Sequence, residues 1–154
     1  MGVQVGEAAP DFVLTNSSRE QVSLDTYAGK YLVLAFYPLA FTGGCTKEMH
    51  QFGEELDKFK EVDAEVVDVS VDNWASAGKF AEQLCVTFPL LSDFPKNKTG
   101  QDYGVYDDEK GYHRRTTFVI SPDRKVIGTH SSPPDAPESH PDAALTIIKE
   151  HKGS

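Results

Sequence analysis

A single α/β domain, built on a mixed central sheet with helices on both faces, is what this sequence predicts. Three observations lead there. The chain has 154 residues, which suits one domain with a sizeable core, so residues 1–154 are read as one unit. Runs of β-branched and aromatic residues alternate with stretches of helical period, the pattern of a parallel sheet wrapped by helices. Two cysteines are too few for a disulfide scaffold, so packing must hold the fold.

The elements follow in chain order. Asp11–Leu14 and Gln21–Leu24 read as short strands around a polar turn. "YLVLAFYP", residues 31–38, reads as a buried central strand closed by proline. Residues 43–62 read as one helix, because Cys45, Met49, Phe52, Leu56 and Phe59 recur at spacings of three and four. Glu54, Glu55, Asp57, Lys58 and Lys60 form most of its wet side. "EVVDVSVD", residues 65–72, is a strand with alternating character in its second half. Asn73 caps the next helix, whose apolar side carries Trp74, Ala77, Ala81 and Leu84. "FPLLSD", residues 88–93, is a short strand, and residues 98–105 form one or two helical turns. Thr116–Ser121 and Lys125–His130 flank a Pro-Asp-Arg turn and read as a hairpin. A proline-rich loop then leads to a closing helix, Asp142–His151. This order gives a thioredoxin-like layout with extra N-terminal strands.

Charge excludes some functions. There are 24 acidic and 15 basic residues, a net charge of -9. Nucleic acid and anionic membranes need a basic surface, so neither is an expected partner. No apolar run approaches the length of a membrane span. The first ten residues lack a signal-peptide pattern, and a cytoplasmic address is the default expectation. The acidity reads as a solvated surface.

One stretch carries chemistry: "FYPLAFTGGCTKEMH", residues 36–50. Cys45 stands at the start of its helix, where unpaired N–H groups and the helix dipole favour thiolate over thiol. Gly43 and Gly44 let the backbone approach a small ligand, and the N–H groups near Gly44 are candidate donors to it. Thr42 can aim a hydroxyl at the sulfur or at a bound oxygen. Pro38 has no N–H and walls a pocket against water. Position alone leaves a second reading open, in which Cys45 is a small buried hydrophobe.

Pro38, Thr42 and Cys45 form the pattern P-x3-T-x2-C, and here the sequence resembles the peroxiredoxin family of thiol peroxidases. "EAAPDFVL" (7–14), "FPLLSDF" (88–94), "YGVYDDEKG" (103–111) and "RRTTFVISPDRKV" (114–126) extend the resemblance over nearly the whole chain. The wording points to the alkyl hydroperoxide reductase E group, with the bacterioferritin-comigratory group next. The resemblance implies that Cys45 is the peroxidatic cysteine, oxidised to a sulfenic acid by hydrogen peroxide or an alkyl hydroperoxide. It implies that Arg115, three residues before Phe118, stabilises the transition state, and that Glu48 orients Arg115; the other reading of Glu48 is a surface acid in the first helical turn. Arg114 reads as a solvated neighbour. No metal, flavin or other cofactor is implied. The reductant would be thioredoxin, a glutaredoxin-like protein or a low-molecular-weight thiol.

Cys85 is the other sulfhydryl. Some relatives carry a resolving cysteine on the corresponding helix, which makes Cys85 a candidate; the alternative is a buried residue filling the helix end. Homodimers are common among relatives, and Phe41, Phe94 and Tyr103 stand either at such an interface or in the core. Two rival functions fit less well. A thioredoxin-type thiol–disulfide oxidoreductase needs C-x-x-C, but Thr42 occupies the earlier position. A metal-binding module needs clustered ligands, whereas His50, His113, His130, His140 and His151 have no recognisable ligand spacing and read as surface groups.

Overall fold

The computed structural model describes residues 3–40, 43–86, 88–131 and 139–153, with backbone only for residues 43–45. Strand β3 (Tyr31–Phe36) lies at the centre of the sheet and is buried along its whole length. Such a strand needs apolar residues on both faces, which explains its unbroken run. It pairs in parallel with β4 (Ala64–Ser70), which pairs in parallel with β5 (Leu90–Ser92). On its other side β3 runs antiparallel to β8 (Thr116–Ile120), and β8 to β9 (Val126–Ser131). The N-terminal strands β1 (Val13–Thr15) and β2 (Gln21–Ser23) extend the sheet beyond β5. The order is β2-β1-β5-β4-β3-β8-β9, a mixed sheet with the expected extra N-terminal strands.

Alternation along β3 divides the core in two. Tyr31, Val33 and Ala35 face α1 (Gly43–Glu54), α2 (Leu56–Glu61), α3 (Trp74–Leu84) and α5 (His140–Lys152). Leu32, Leu34 and Phe36 face Phe12, Leu14, Leu24 of a 3-10 turn (Leu24–Tyr27), Tyr103 and Val105. The short helix α4 (Lys98–Asp102) and a small hairpin, β6 (Tyr106–Asp107) with β7 (Tyr112–His113), cover this second face. That hairpin was not expected from the sequence, because two-residue strands carry too little periodicity to read.

Several expectations hold locally. The Asn73 side chain accepts from the Ser76 N–H at 2.9 Å and caps α3. Ala77 and Phe80 are its buried residues, while Trp74 lies beneath the Arg19 guanidinium, 4.2 Å from its ring. The Pro122–Arg124 turn closes the β8–β9 hairpin, with Ser121 N–H bonded to the Lys125 carbonyl at 2.8 Å.

Three expectations are corrected. The helix over 43–62 is two helices, broken at Glu55, where the backbone departs to φ -99° and ψ 6°. Gly53, a poor helix former, precedes the break. The change of phase turns Glu55 inward, 7% exposed, although the pattern placed it on the wet side. In β4 the alternating character seen in the sequence does not mark a wet face: Asp68 and Ser70 are buried, because this strand is covered on both faces. His113 and His140 are fully buried, not surface groups. Tyr103 belongs to the core, whereas Phe94 is exposed, and Phe41 lies outside the described residues.

His113 locks the second face. Its ring packs edge-on against Phe36 at 5.3 Å and lies 3.1 Å from Asp93. Asp93 also accepts from the N–H groups of Thr99 and Gly100. A Cβ at Gly100 would stand 2.0 Å from the His113 ring. Gly100→Ala is therefore expected to lower stability by about 1–3 kcal/mol through overpacking, although alanine alone favours a helix by about 1 kcal/mol. Urea unfolding measures this; an unchanged or stabilised variant would refute the packing argument.

Candidate active site

The site forms at the carboxyl ends of the parallel strands β3, β4 and β5, where such sheets commonly bind ligands. Pro38 follows β3 directly. The loop beyond it is tied down by Asp72, which follows β4: Ala40 donates its N–H to Asp72 Oδ2 at 2.8 Å. The Ser70 hydroxyl donates to the same oxygen at 2.7 Å, and the Ser92 hydroxyl to the Asp72 carbonyl at 2.6 Å. Sequence reading missed Asp72, which it took as the last residue of the strand over 65–72; in the structure β4 ends at Ser70.

Helix α1 begins at Gly43, so Cys45 is its third residue, within the first turn. The Cys45, Gly43 and Gly44 side positions are not described, and Thr42 lies outside the described residues. The backbone placement is the expected one: N–H groups of the first turn, including those at Gly44 and Cys45, have no intrahelical partner.

Glu48 is one turn farther along α1, on the same helical face as position 45. Its side chain is fully buried, so the surface-acid reading is set aside. Arg115 directly precedes β8, and the register that pairs Phe36 with Thr116 brings it beside the end of β3. Its guanidinium donates from Nη1 to Glu48 Oε1 at 2.8 Å. Burial pushes the Glu48 carboxyl above the ordinary range, and the charge and hydrogen bond of Arg115 oppose that shift. Because a guanidinium stays charged, the pair is read as carboxylate with guanidinium. Arg114, by contrast, is exposed and donates to the Gly104 carbonyl. The two adjacent arginines thus differ: Arg115 pairs with a buried carboxylate, and Arg114 bonds to a backbone carbonyl. Arg115 and Pro38 line a cavity of about 410 Å³ together with Lys110, Tyr112, Arg114 and Thr116.

Behind the pair lies a histidine that sequence reading missed as part of the site. His140, at the start of α5, shares a 2.7 Å hydrogen bond between its Nδ1 and the Thr117 hydroxyl. The same nitrogen is 3.6 Å from Glu48 Oε2. The His130 ring packs edge-on at 4.7 Å. Only tertiary packing brings α5 to this place, so no local signal could have revealed it.

Cys85 caps the C-terminal end of α3 in a left-handed conformation and is exposed. The buried-filler reading therefore fails. It opens on a groove of about 390 Å³ with His50, Gly53, Leu56, Lys60 and Val86.

A thioredoxin-like sheet, a cysteine in the first turn of a helix and a buried glutamate–arginine pair one turn on define the class: a thiol-dependent peroxidase. Comparison with known proteins gives the family. Residues 5–129 match the AhpC/TSA family, and the chain belongs to it. It is similar to alkyl hydroperoxide reductase E of Mycobacterium tuberculosis, 40% identical over 120 residues, covering 77% of this chain and 78% of that protein. It is 35% identical over 133 residues to peroxiredoxin Bcp of Bacillus subtilis, covering 82% and 84%. Among solved structures, peroxidoxin BcpB of Mycobacterium tuberculosis superposes with a TM-score of 0.88 and 35% identity, covering 95% of this chain and 96% of that one.

Burial, then the neighbouring charges of His130 and Arg115, push the His140 imidazole down from 6.5 to about 3. The unfolded chain therefore binds a proton there that the folded chain refuses. The contribution of neutral His140 is complete above pH 6.5 and is lost as pH falls towards 3, by up to about 1.4 kcal/mol per pH unit. In His140→Gln, the loss of unfolding free energy between neutral and mildly acidic pH should be smaller than in the parent. Equal losses in urea titrations would show that His140 is not the group responsible.

Proposed function

We propose that the chain reduces hydrogen peroxide and alkyl hydroperoxides through a sulfenic acid on Cys45. The observation that carries this reading is the Arg115–Glu48 pair, 2.8 Å apart, with Glu48 one helical turn beyond the cysteine position. The Cys45 thiolate attacks one peroxide oxygen in line. The O–O bond breaks, the sulfur keeps the attacked oxygen with its proton, and the leaving oxide takes a proton from solvent to become water or alcohol. Negative charge spreads over sulfur and both oxygens on the way. Arg115, held by Glu48, stabilises that charge with the N–H groups at Gly44 and Cys45. Thr42 orients the peroxide, and Pro38 excludes water from one side.

Cys45→Ser should abolish peroxide turnover while leaving the circular dichroism unchanged. Arg115→Ala should lower the second-order rate with peroxide by on the order of 10²–10³, the worth of one electrostatic donor. Stopped-flow measurement checks both. Retained turnover without the sulfur, or a rate within a few-fold of the parent without the guanidinium, would refute the assigned roles.

Cys85 is proposed to resolve the sulfenic acid. Its thiol attacks the Cys45 sulfur, forming an intramolecular disulfide and releasing water, and an external thiol then reduces the disulfide. Thioredoxin, a glutaredoxin-like protein or a low-molecular-weight thiol would serve, in a reducing compartment such as the cytoplasm. The exposure of Cys85 and its groove along α1 support this. The adjoining Val86 lies 3.4 Å from where a Cβ on Gly53 would be. Positions 45 and 53 are separated by about 12 Å of helix axis, beyond the reach of about 7 Å between bridged Cα atoms. The start of α1 must therefore unwind before the bond closes. Mass spectrometry after one equivalent of peroxide should find the Cys45–Cys85 disulfide and faster proteolysis near residue 45. Sulfenic or sulfinic Cys45 beside a free Cys85 would mean that an outside thiol resolves it.

A further inference from the structure

Among the buried carboxyls that the peroxidase chemistry does not use, one stands beside the Arg115–Glu48 pair. Asp68, in β4, is fully buried. Neither carboxyl oxygen has a hydrogen-bond partner among the described residues. Its strand neighbours in register are Ala35 and Leu90, which offer no side-chain donor. Val66, two residues earlier, belongs to the core beneath α1, so Asp68 faces the same side. Among the described residues, the charged and titratable groups around it on that side are Glu48 from α1, Arg115 leading into β8, His130 from β9, His140 from α5 and the buried Tyr37 phenol just past β3. The part of α3 packed into this core is apolar, Ala77 and Phe80.

Charge and hydrogen bonding decide where protons lie. Two carboxyls, Glu48 and Asp68, share this enclosed volume with one guanidinium, and His140 is neutral. Glu48 receives the Arg115 Nη1 proton at 2.8 Å, which stabilises its charged form. Asp68 receives no donor among the described residues. A second carboxylate, desolvated and without donors, is the costlier anion to keep. We propose that Asp68 is a positioning residue that carries one proton at neutral pH, and that by staying neutral it leaves the Arg115 charge directed at the reacting sulfur and oxygen. When Asp68 ionises at alkaline pH, its new negative charge holds Arg115 back towards the sheet and slows the reaction. Burial first, then the Glu48 charge, hold the Asp68 carboxyl well above the ordinary carboxylate range, against the opposing pull of Arg115.

The rate effect rests on the role proposed above for Arg115; the location of the proton does not. Infrared spectra of the full-length reduced protein at neutral pH should contain a protonated-carboxyl band that shifts on ¹³C-labelling of aspartate carboxyls. The band should vanish in Asp68→Asn. No shift on aspartate labelling, or survival of the shifted band in the variant, would overturn the assignment whether or not the variant folds well. Stopped-flow rates, divided by the thiolate fraction measured from alkylation, should fall on the alkaline side by about tenfold, less than the 10²–10³ of losing a donor outright. In Asp68→Asn that fall should disappear. Its persistence would overturn the positioning role. If Arg115→Ala reacts like the parent while the infrared result holds, the proton is on Asp68 but the proposed route from it to the rate is wrong.

Discussion

A guanidinium and a carboxylate held together at the edge of an apolar core constrain the rest of this molecule. Breaking such a pair by removing one partner strands the other charge and costs far more than the pair contributes. Arg115 retains limited exposure, 13% of its side chain, while Glu48 has none. The pair therefore joins the start of β8 to the first turns of α1 and fixes where the cavity ends. The register of β3 with β8 brings Arg115 beside the end of β3. Asp72 ties down the loop from the other side through the Ala40 N–H. The helix start that carries Cys45 is thus bracketed by polar contacts, in a protein whose central strand is otherwise apolar.

The polar layer around this pair has an internal logic. Across the sheet, Asp68, Ala35, Thr117 and His130 occupy one row, linked by strand register. Glu48 and His140 lie above it from α1 and α5. A low-dielectric site raises the worth of every satisfied contact and the cost of every unsatisfied one. Thr117 satisfies His140, and Arg115 satisfies one oxygen of Glu48. Burial disfavours the charged form of each group, so it pushes the His140 imidazole down and the Asp68 carboxyl up.

The second cysteine belongs to a different part of the architecture. Gly53 and the break at Glu55 bend the chain between α1 and α2, and Cys85 opens beside that bend. Its left-handed backbone ends α3 and turns the chain towards β5. Exposure on a groove along α1 suits a thiol that has to meet another protein or a remodelled helix. A buried position would suit neither.

Much of this was legible without the fold. Periodicity marked β3, β4, α3 and the β8–β9 hairpin, because each carries its own local signal of burial, cap or turn. The arrangement of Pro38, Thr42 and Cys45 carried the family resemblance, and that resemblance, through the spacing from Phe118, selected Arg115 over Arg114 as the candidate. The resemblance implied that Glu48, one turn after Cys45, orients Arg115, while its position alone also fitted a surface acid. Tertiary structure supplied the contact itself, because Arg115 and Glu48, 67 apart in sequence, meet only when β8 is brought beside β3. It alone buried Asp68, His113 and His140, since a polar residue in a strand or helix carries no mark of what will cover it. It exposed Cys85 and divided one amphipathic pattern into two helices. Local sequence determines which face of an element is apolar; which polar residues lose their water depends on elements that arrive from elsewhere in the chain.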